Sequence, residues 1–182
     1  MKFEFYAEEA AKTALPSALS FDYLTTGLIG EVGELSSIFA KAIRDNNFEL
    51  TEENRLDAIK EIGDILWYLA LLTILYGDIS LTMDLRKDLG PQATPEDDVI
   101  SALFVLFDEC SSLVTDLVMK SERPELGGSS GLDARMVNNI IDTLSFLASF
   151  LGSDIEFAAD LNLSKLKSRQ KRNKIGGSGD NR

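Results

Sequence analysis

Phe21-Asp22-Tyr23-Leu24-Thr25-Thr26-Gly27-Leu28-Ile29-Gly30-Glu31-Val32-Gly33-Glu34-Leu35 opens the stretch that decides the fold. Leu24, Leu28, Leu35, Phe39 and Ile43 recur at helical spacing, which predicts one buried stripe along a long helix. Ser20 precedes it as an N-cap and Asn46-Asn47 closes it, so the helix should run to about Asp45. The next helix should start at Thr51, with Glu52 and Glu53 in its first turn, where the helix dipole favours acids. It should reach about Tyr76, with Gly77 in the left-handed position that follows many helices.

The same period continues outward, and strand-type alternation is nearly absent, so the fold class is all-α. A short amphipathic stretch covers residues 3–14, and Pro16-Ser17 ends it. A short helix is expected over 79–88, broken by Gly90-Pro91. Thr94-Pro95 reads as a cap followed by proline at the first helical position, for a helix reaching about Lys120. Residues 122–131 form a glycine- and serine-rich loop, one more helix covers about 132–151, and a last one starts near Ser153-Asp154. An internal repeat stands at an offset of 78 residues: Glu31 to Leu35 lies over Glu109 to Leu113, and Asp64 to Ala70 over Asp142 to Ala148. This points to duplication of a helix pair. The chain reads as a single domain over 1–182, with one helix pair in 20–88, a second in 94–152, and a C-terminal helix and basic tail in 153–182.

Composition removes several chemistries. There is no histidine and only one cysteine, Cys110, so no Ser-His-Asp or Cys-His catalysis, no Glu-x-x-His di-iron set and no ordinary zinc site can be built. A metal would have to be held by oxygen, which suits Mg²⁺ or Mn²⁺. The acidic N-terminus is wrong for a secretory signal and no apolar run is long enough for a membrane span, so a soluble, cytoplasmic protein is expected. The net charge of −12 divides unevenly: residues 164–182 carry seven basic residues against Asp180, a balance of +6, leaving −18 for residues 1–163. Such a tail is either solvated, a nucleic-acid arm, or a strap that meets phosphate over an acidic site.

Glu31 and Glu34 lie three apart on one helix, and Glu61 and Asp64 repeat that spacing on the next. Two neighbouring antiparallel helices can pool these four acids, whose repulsion a divalent cation would relieve. The acids border apolar residues, and Gly30, Gly33 and Gly63 beside them each cost a helix about 1 kcal/mol relative to alanine. Close helix approach or access for a ligand would explain these glycines. The competing reading makes the acids surface groups paired with Lys41, Arg44, Arg55 and Lys60.

At these residues the chain resembles the MazG-like, all-alpha nucleotide pyrophosphohydrolase superfamily, which includes the dimeric dUTPases and dCTP pyrophosphatases. That signature is Glu-x-x-Glu followed by Glu-x-x-Asp, here Glu31-Val32-Gly33-Glu34 and Glu61-Ile62-Gly63-Asp64, leading into Ile65-Leu66-Trp67-Tyr68-Leu69. Asn162-Leu163-Ser164-Lys165-Leu166-Lys167-Ser168-Arg169 is similar to the family's C-terminal Asn-x-x-Lys-Leu-x-x-Arg run, and residues 174–180 are similar to tails of some bacterial and phage members. The resemblance implies Mg²⁺-dependent hydrolysis of a nucleoside or deoxynucleoside triphosphate to monophosphate and pyrophosphate. It implies Glu31, Glu34, Glu61 and Asp64 as metal ligands, with Glu34 the carboxylate nearest the attacking water. Asn162, Lys165 and Arg169 become the phosphate-contacting set. Tyr68 is a phosphate or sugar contact or else a core residue, Trp67 a core residue, and Lys41 a weaker phosphate candidate.

The second pair departs from the pattern, because Ser112 stands at the position of Glu34 and Asn139 at that of Glu61. Simple family members dimerise around a four-helix core. The expectation here is a MazG-like helical bundle whose degenerate second pair makes the chain a pseudo-dimer, with homodimerisation left open. Two other classes compete: a nucleotide-binding or regulatory protein of the same fold without turnover, and a structural helical protein with a nucleic-acid arm. The −18 body opposes the last by repelling a polyanion. Base preference, and roles in house-cleaning or other nucleotide metabolism, stay open; Phe21, Tyr23 and Trp67 are candidate pocket residues.

Overall fold

A computed structural model describes residues 1–77, 85, 96–122 and 131–172. Six α-helices lie among them: α1 (Phe3–Ala11), α2 (Phe21–Asn46), α3 (Glu52–Tyr76), α4 (Glu96–Glu122), α5 (Ala134–Phe150) and α6 (Ile155–Lys171), with a 3₁₀ turn at Pro16–Ala18. Among the described residues extended pairing is confined to a bridge at Lys2, beside the Leu85 N–H that donates to the Met1 carbonyl at 2.9 Å. The expected helix over 79–88, the Thr94-Pro95 cap, most of the 122–131 loop and the last ten residues lie outside the described residues. No helix among the described residues is long and apolar enough to cross a membrane.

The caps follow from local chemistry. Ser20 Oγ accepts the Tyr23 N–H at 3.3 Å, and Asp154 Oδ1 accepts that of Phe157 at 2.7 Å. Thr51 and Asn54 bond reciprocally, at 3.1 and 3.4 Å, satisfying two of the donors that a helix start leaves without partners. Thr51→Ala should therefore cost about 1 kcal/mol, read by chemical denaturation; an unchanged midpoint would remove the cap from the account.

Two sequence expectations need correction. Gly77 is not left-handed: its φ is −107° and ψ 179°. The chain leaves α3 extended, and the Tyr76 carbonyl accepts the Leu132 N–H at 2.6 Å. Glycine is needed at 77 for space, since a Cβ there would lie 2.6 Å from the Thr73 carbonyl oxygen. Ile43 is 48% exposed, and the buried stripe of α2 runs through Val32, Leu35, Phe39 and Ala42. A straight helix drifts against a run of fours, so the next inward position after Phe39 falls three residues on.

The short turn over Asn47–Leu50 folds α2 back along α3 as an antiparallel pair. Asn47 and Phe48 both take positive φ there, and the Phe48 ring packs 6.2 Å from Phe39 and 6.0 Å from Phe150 between ring centres. Helices α4 and α5 form a second pair, α2 touches α4, and α3 touches α5. From Ile62 onward α3 is apolar nearly all round, in keeping with its packing on α2, α1, α6 and α5, and Ile62, Leu66, Leu69 and Leu71 are fully buried. Burial repeats at the sequence offset: Leu28 and Leu106, Leu35 and Leu113, Leu66 and Leu144, and Ala70 and Ala148 are all within the core.

Candidate active site

Glu31 and Glu34 project one turn apart from α2 toward Glu61 on α3, and each offers a carboxylate oxygen within 4.8 Å of the others. Glu61 is 9% exposed, Glu31 is half-buried and Glu34 is exposed. The Glu31 carboxyl is pushed up to about 8, first by burial and then by the charges of Asp64, Glu61 and Glu34. An all-oxygen set in which burial and charge together hold a proton on Glu31 is chemically suited to a hard divalent cation, which would replace that proton. The residues present fit Mg²⁺ or Mn²⁺.

Asp64 follows one turn after Glu61 and is engaged from α6. Asn162 Nδ2 donates to its Oδ1 at 2.6 Å, and Lys165 Nζ reaches Oδ1 and Oδ2 at 2.8 and 2.5 Å. The group within 4.8 Å comprises Glu31, Glu34 and Glu61, with the Asp64 charge close enough to act on Glu31. Gly63 makes the arrangement possible: a Cβ there would lie 2.8 Å from the Ala158 carbonyl oxygen and 2.9 Å from Asn162 Cβ. Without a side chain at 63, α6 can lie against α3 and bring its polar residues to Asp64. Arg169, one turn beyond Lys165, is 5% exposed, and Lys167 turns instead to Glu9 on α1 at 2.6 Å.

Tyr68 packs across Gly27, where a Cβ would fall 2.2 Å from its ring. Its hydroxyl donates to that of Tyr23 at 3.2 Å, and the charges of Glu31 and Asp64, after burial and the Tyr23 contact, help to push its ionisation up. The side chain is buried and its hydroxyl hydrogen bond goes to Tyr23, as the core reading expects. Trp67 is half-buried and donates to Thr13 Oγ1 at 3.0 Å, as a packed residue would. Phe21 is half-buried edge-on to Tyr76, and Tyr23 is 44% exposed. Lys41 is exposed, about 10 Å of helix rise beyond Glu34. Gly30 and Gly33 have open space where a side chain would stand, so ligand access fits them and close helix approach does not. Of the cations in the competing reading, Arg44 pairs with Asp45 at 2.7 Å, Lys60 with Asp57 at 2.6 Å, and Arg55 donates to the Phe150 carbonyl at 3.3 Å.

The equivalent face of the second pair is built differently. Glu109 accepts the Thr143 hydroxyl at 2.9 Å and is raised by burial, while Ser112, Asn139 and Asp142 are exposed. Sequence reasoning missed Tyr6, which is fully buried and reaches Asn162 at 3.1 Å. It also missed Gly27, whose role depends on a ring 41 positions away. No motif marks either residue; a glycine one turn before Glu31 was the only available sign.

No family model matches the chain, and no solved structure matches it. It is similar to the Gene 37 protein of Mycobacterium phage L5, with 39% identity over 79 residues, which is 40% of this chain and 69% of that protein. That degree of identity over that share of the phage protein places the chain in the Gene 37 protein family.

Proposed function

We propose that this chain is a divalent-cation-dependent pyrophosphohydrolase of the MazG-like type, splitting a nucleoside or deoxynucleoside triphosphate into monophosphate and pyrophosphate in the cytoplasm. The observation that carries the reading is the convergence of Glu31, Glu34 and Glu61 within 4.8 Å, beside an Asp64 gripped by an amide and a lysine. Glu31, Glu34 and Glu61 hold the cation, with Asp64 completing the set. When bound, Mg²⁺ or Mn²⁺ neutralises phosphate oxygens and acidifies a water for attack at neutral pH. Glu34 is the exposed member and lies beside the open faces of Gly30 and Gly33, so it takes the proton of the attacking water. Lys165 and Arg169 offset charge on the leaving pyrophosphate, Asn162 orients Asp64, and Tyr68 turns its hydroxyl from Tyr23 to a phosphate or sugar oxygen when substrate binds. Lys41 meets the outer part of the substrate. The second helix pair serves as a built-in partner, making the chain a pseudo-dimer with one active site.

A panel of canonical and modified NTPs and dNTPs incubated with Mg²⁺ tests the reaction, with products separated chromatographically. Monophosphate plus pyrophosphate is expected, and diphosphate plus orthophosphate would contradict it. Titration with Mn²⁺ should find one site per chain; two equivalent sites would overturn the built-in-partner reading.

A pH dependence follows from Glu31. Its folded value near 8 lies above the ordinary 4.5, so the unfolded chain ionises this group first. The stability it contributes is fully present below 4.5 and is lost as pH rises through 8. In EDTA the thermal midpoint should therefore carry a downward component between pH 5 and 8.5. Added Mg²⁺ should raise the midpoint more at pH 8 than at pH 5, because ligands must be deprotonated. An equal shift at both pH values would count against the cluster as ligands.

A further inference from the structure

Tyr6 is an unexpected neighbour for this site. It comes from α1, its side chain is fully buried, and its hydroxyl lies 3.1 Å from Asn162 Oδ1 and 3.3 Å from the Gly63 carbonyl oxygen. Both contacts bear on Asp64. Gly63 immediately precedes it in α3, and Asn162 grips its Oδ1 through Nδ2 at 2.6 Å. Asn162 is 2% exposed, so water has little access to its amide oxygen. A buried amide has to find partners at both ends, because an orphaned acceptor forfeits its hydration with no return. The Asp64 carboxylate calls for the NH₂ end, and the Tyr6 phenol supplies the donor for the other. Burial holds the phenol in its protonated form. Three helices, α1, α3 and α6, are thus joined by one polar chain, Tyr6 to Asn162 to Asp64.

We infer that Tyr6 is a positioning residue for the cation site, acting through the Asn162 amide to fix the Asp64 carboxylate. The inference rests on the metal reading above. Deleting the hydroxyl leaves Asn162 Oδ1 buried without its donor, and the amide gains by turning away from Asp64 to find another. The aromatic packing of residue 6 is retained in phenylalanine, so the loss is confined to the polar chain.

A double-mutant cycle on Mn²⁺ affinity in the full chain, read by electron paramagnetic resonance with no nucleotide present, tests this. Tyr6→Phe should weaken Mn²⁺ binding about tenfold, as loss of a partner behind a ligand does elsewhere, and Asn162→Ala should weaken it to a similar extent. The double variant should be no weaker than Asn162→Ala alone, because the two act in series. Losses that multiply would make Tyr6 a packing residue only and overturn the inference, as would unchanged binding in Tyr6→Phe. Should Tyr6→Phe fail to fold, Mg²⁺ titration of the wild type by NMR decides: the Tyr6 hydroxyl proton and the Asn162 side-chain amide should shift together. A shift of Asn162 without Tyr6 would overturn it. Absence of Mn²⁺ binding by the wild type is a separate outcome, which overturns the metal reading itself and this inference with it.

Discussion

Glu61→Gln should abolish cation-dependent pyrophosphate release, lowering kcat/KM about a hundredfold or more, while leaving the metal-free protein at least as stable as the wild type. Glu61 is the most buried of the three converging acids, and its charge helps to push the Glu31 carboxyl upward. An amide of the same shape keeps the packing but removes one charge from the cation's surroundings and one repulsion from the apo cluster. The two effects have opposite signs, which separates this residue from an ordinary buried polar group, whose replacement would lower stability. The checks are pyrophosphate release with Mg²⁺ and thermal unfolding in EDTA at pH 8. Retained activity would remove Glu61 from the ligand set. Lost activity with a lower midpoint would assign it a structural role.

The second large effect is expected at Gly63. Gly63→Leu should destabilise the fold by about 3 kcal/mol, because the new side chain meets the Ala158 backbone and Asn162 Cβ, neither of which can rotate aside. Loss of α6 docking would also release Lys165 and Asn162 from Asp64, so any folded fraction should bind Mn²⁺ more weakly. Two glycines on α2, unlike Gly27, should behave in the opposite way. Gly30→Ala and Gly33→Ala meet nothing within 4 Å and should each stabilise the helix by up to about 1 kcal/mol. If the space above them admits substrate, they should raise KM as they raise stability. Denaturation midpoints of the three variants, with KM for the two alanine variants, check the set. Equal destabilisation at 33 and 63 would deny that Gly63, unlike Gly33, lies against another helix.

These contrasts show what a sequence can and cannot disclose. Helix starts were legible because Ser20, Thr51 and Asp154 cap through contacts with the residue three positions on. The convergence of Glu31, Glu34 and Glu61 was legible because the helix fixes their spacing, whereas the motif around Asn162 and Lys165 implied phosphate contacts and gave no sign of their hold on Asp64. Gly77 was misread because Tyr76 beside it is held by a tertiary bond from Leu132, which no local pattern encodes. Ile43 was misread because a run of fours overstays a period of 3.6. Tyr6 could not be found at all: its partner lies 156 positions away, and an aromatic on a short amphipathic helix reads as core whichever way its hydroxyl points. The engagement of Asp64 by Lys165 likewise depends on α6 returning across α3, a decision made by Gly63 and by packing.

The contacts of α2 with α4 and of α3 with α5 join two hairpins that belong to a single polypeptide. A tether of this kind gives the second hairpin an effective concentration of the order of millimolar beside the first. Dilution therefore cannot separate the halves. A chain present at a few copies per cell keeps its bundle closed, where two free hairpins of the same affinity would drift apart.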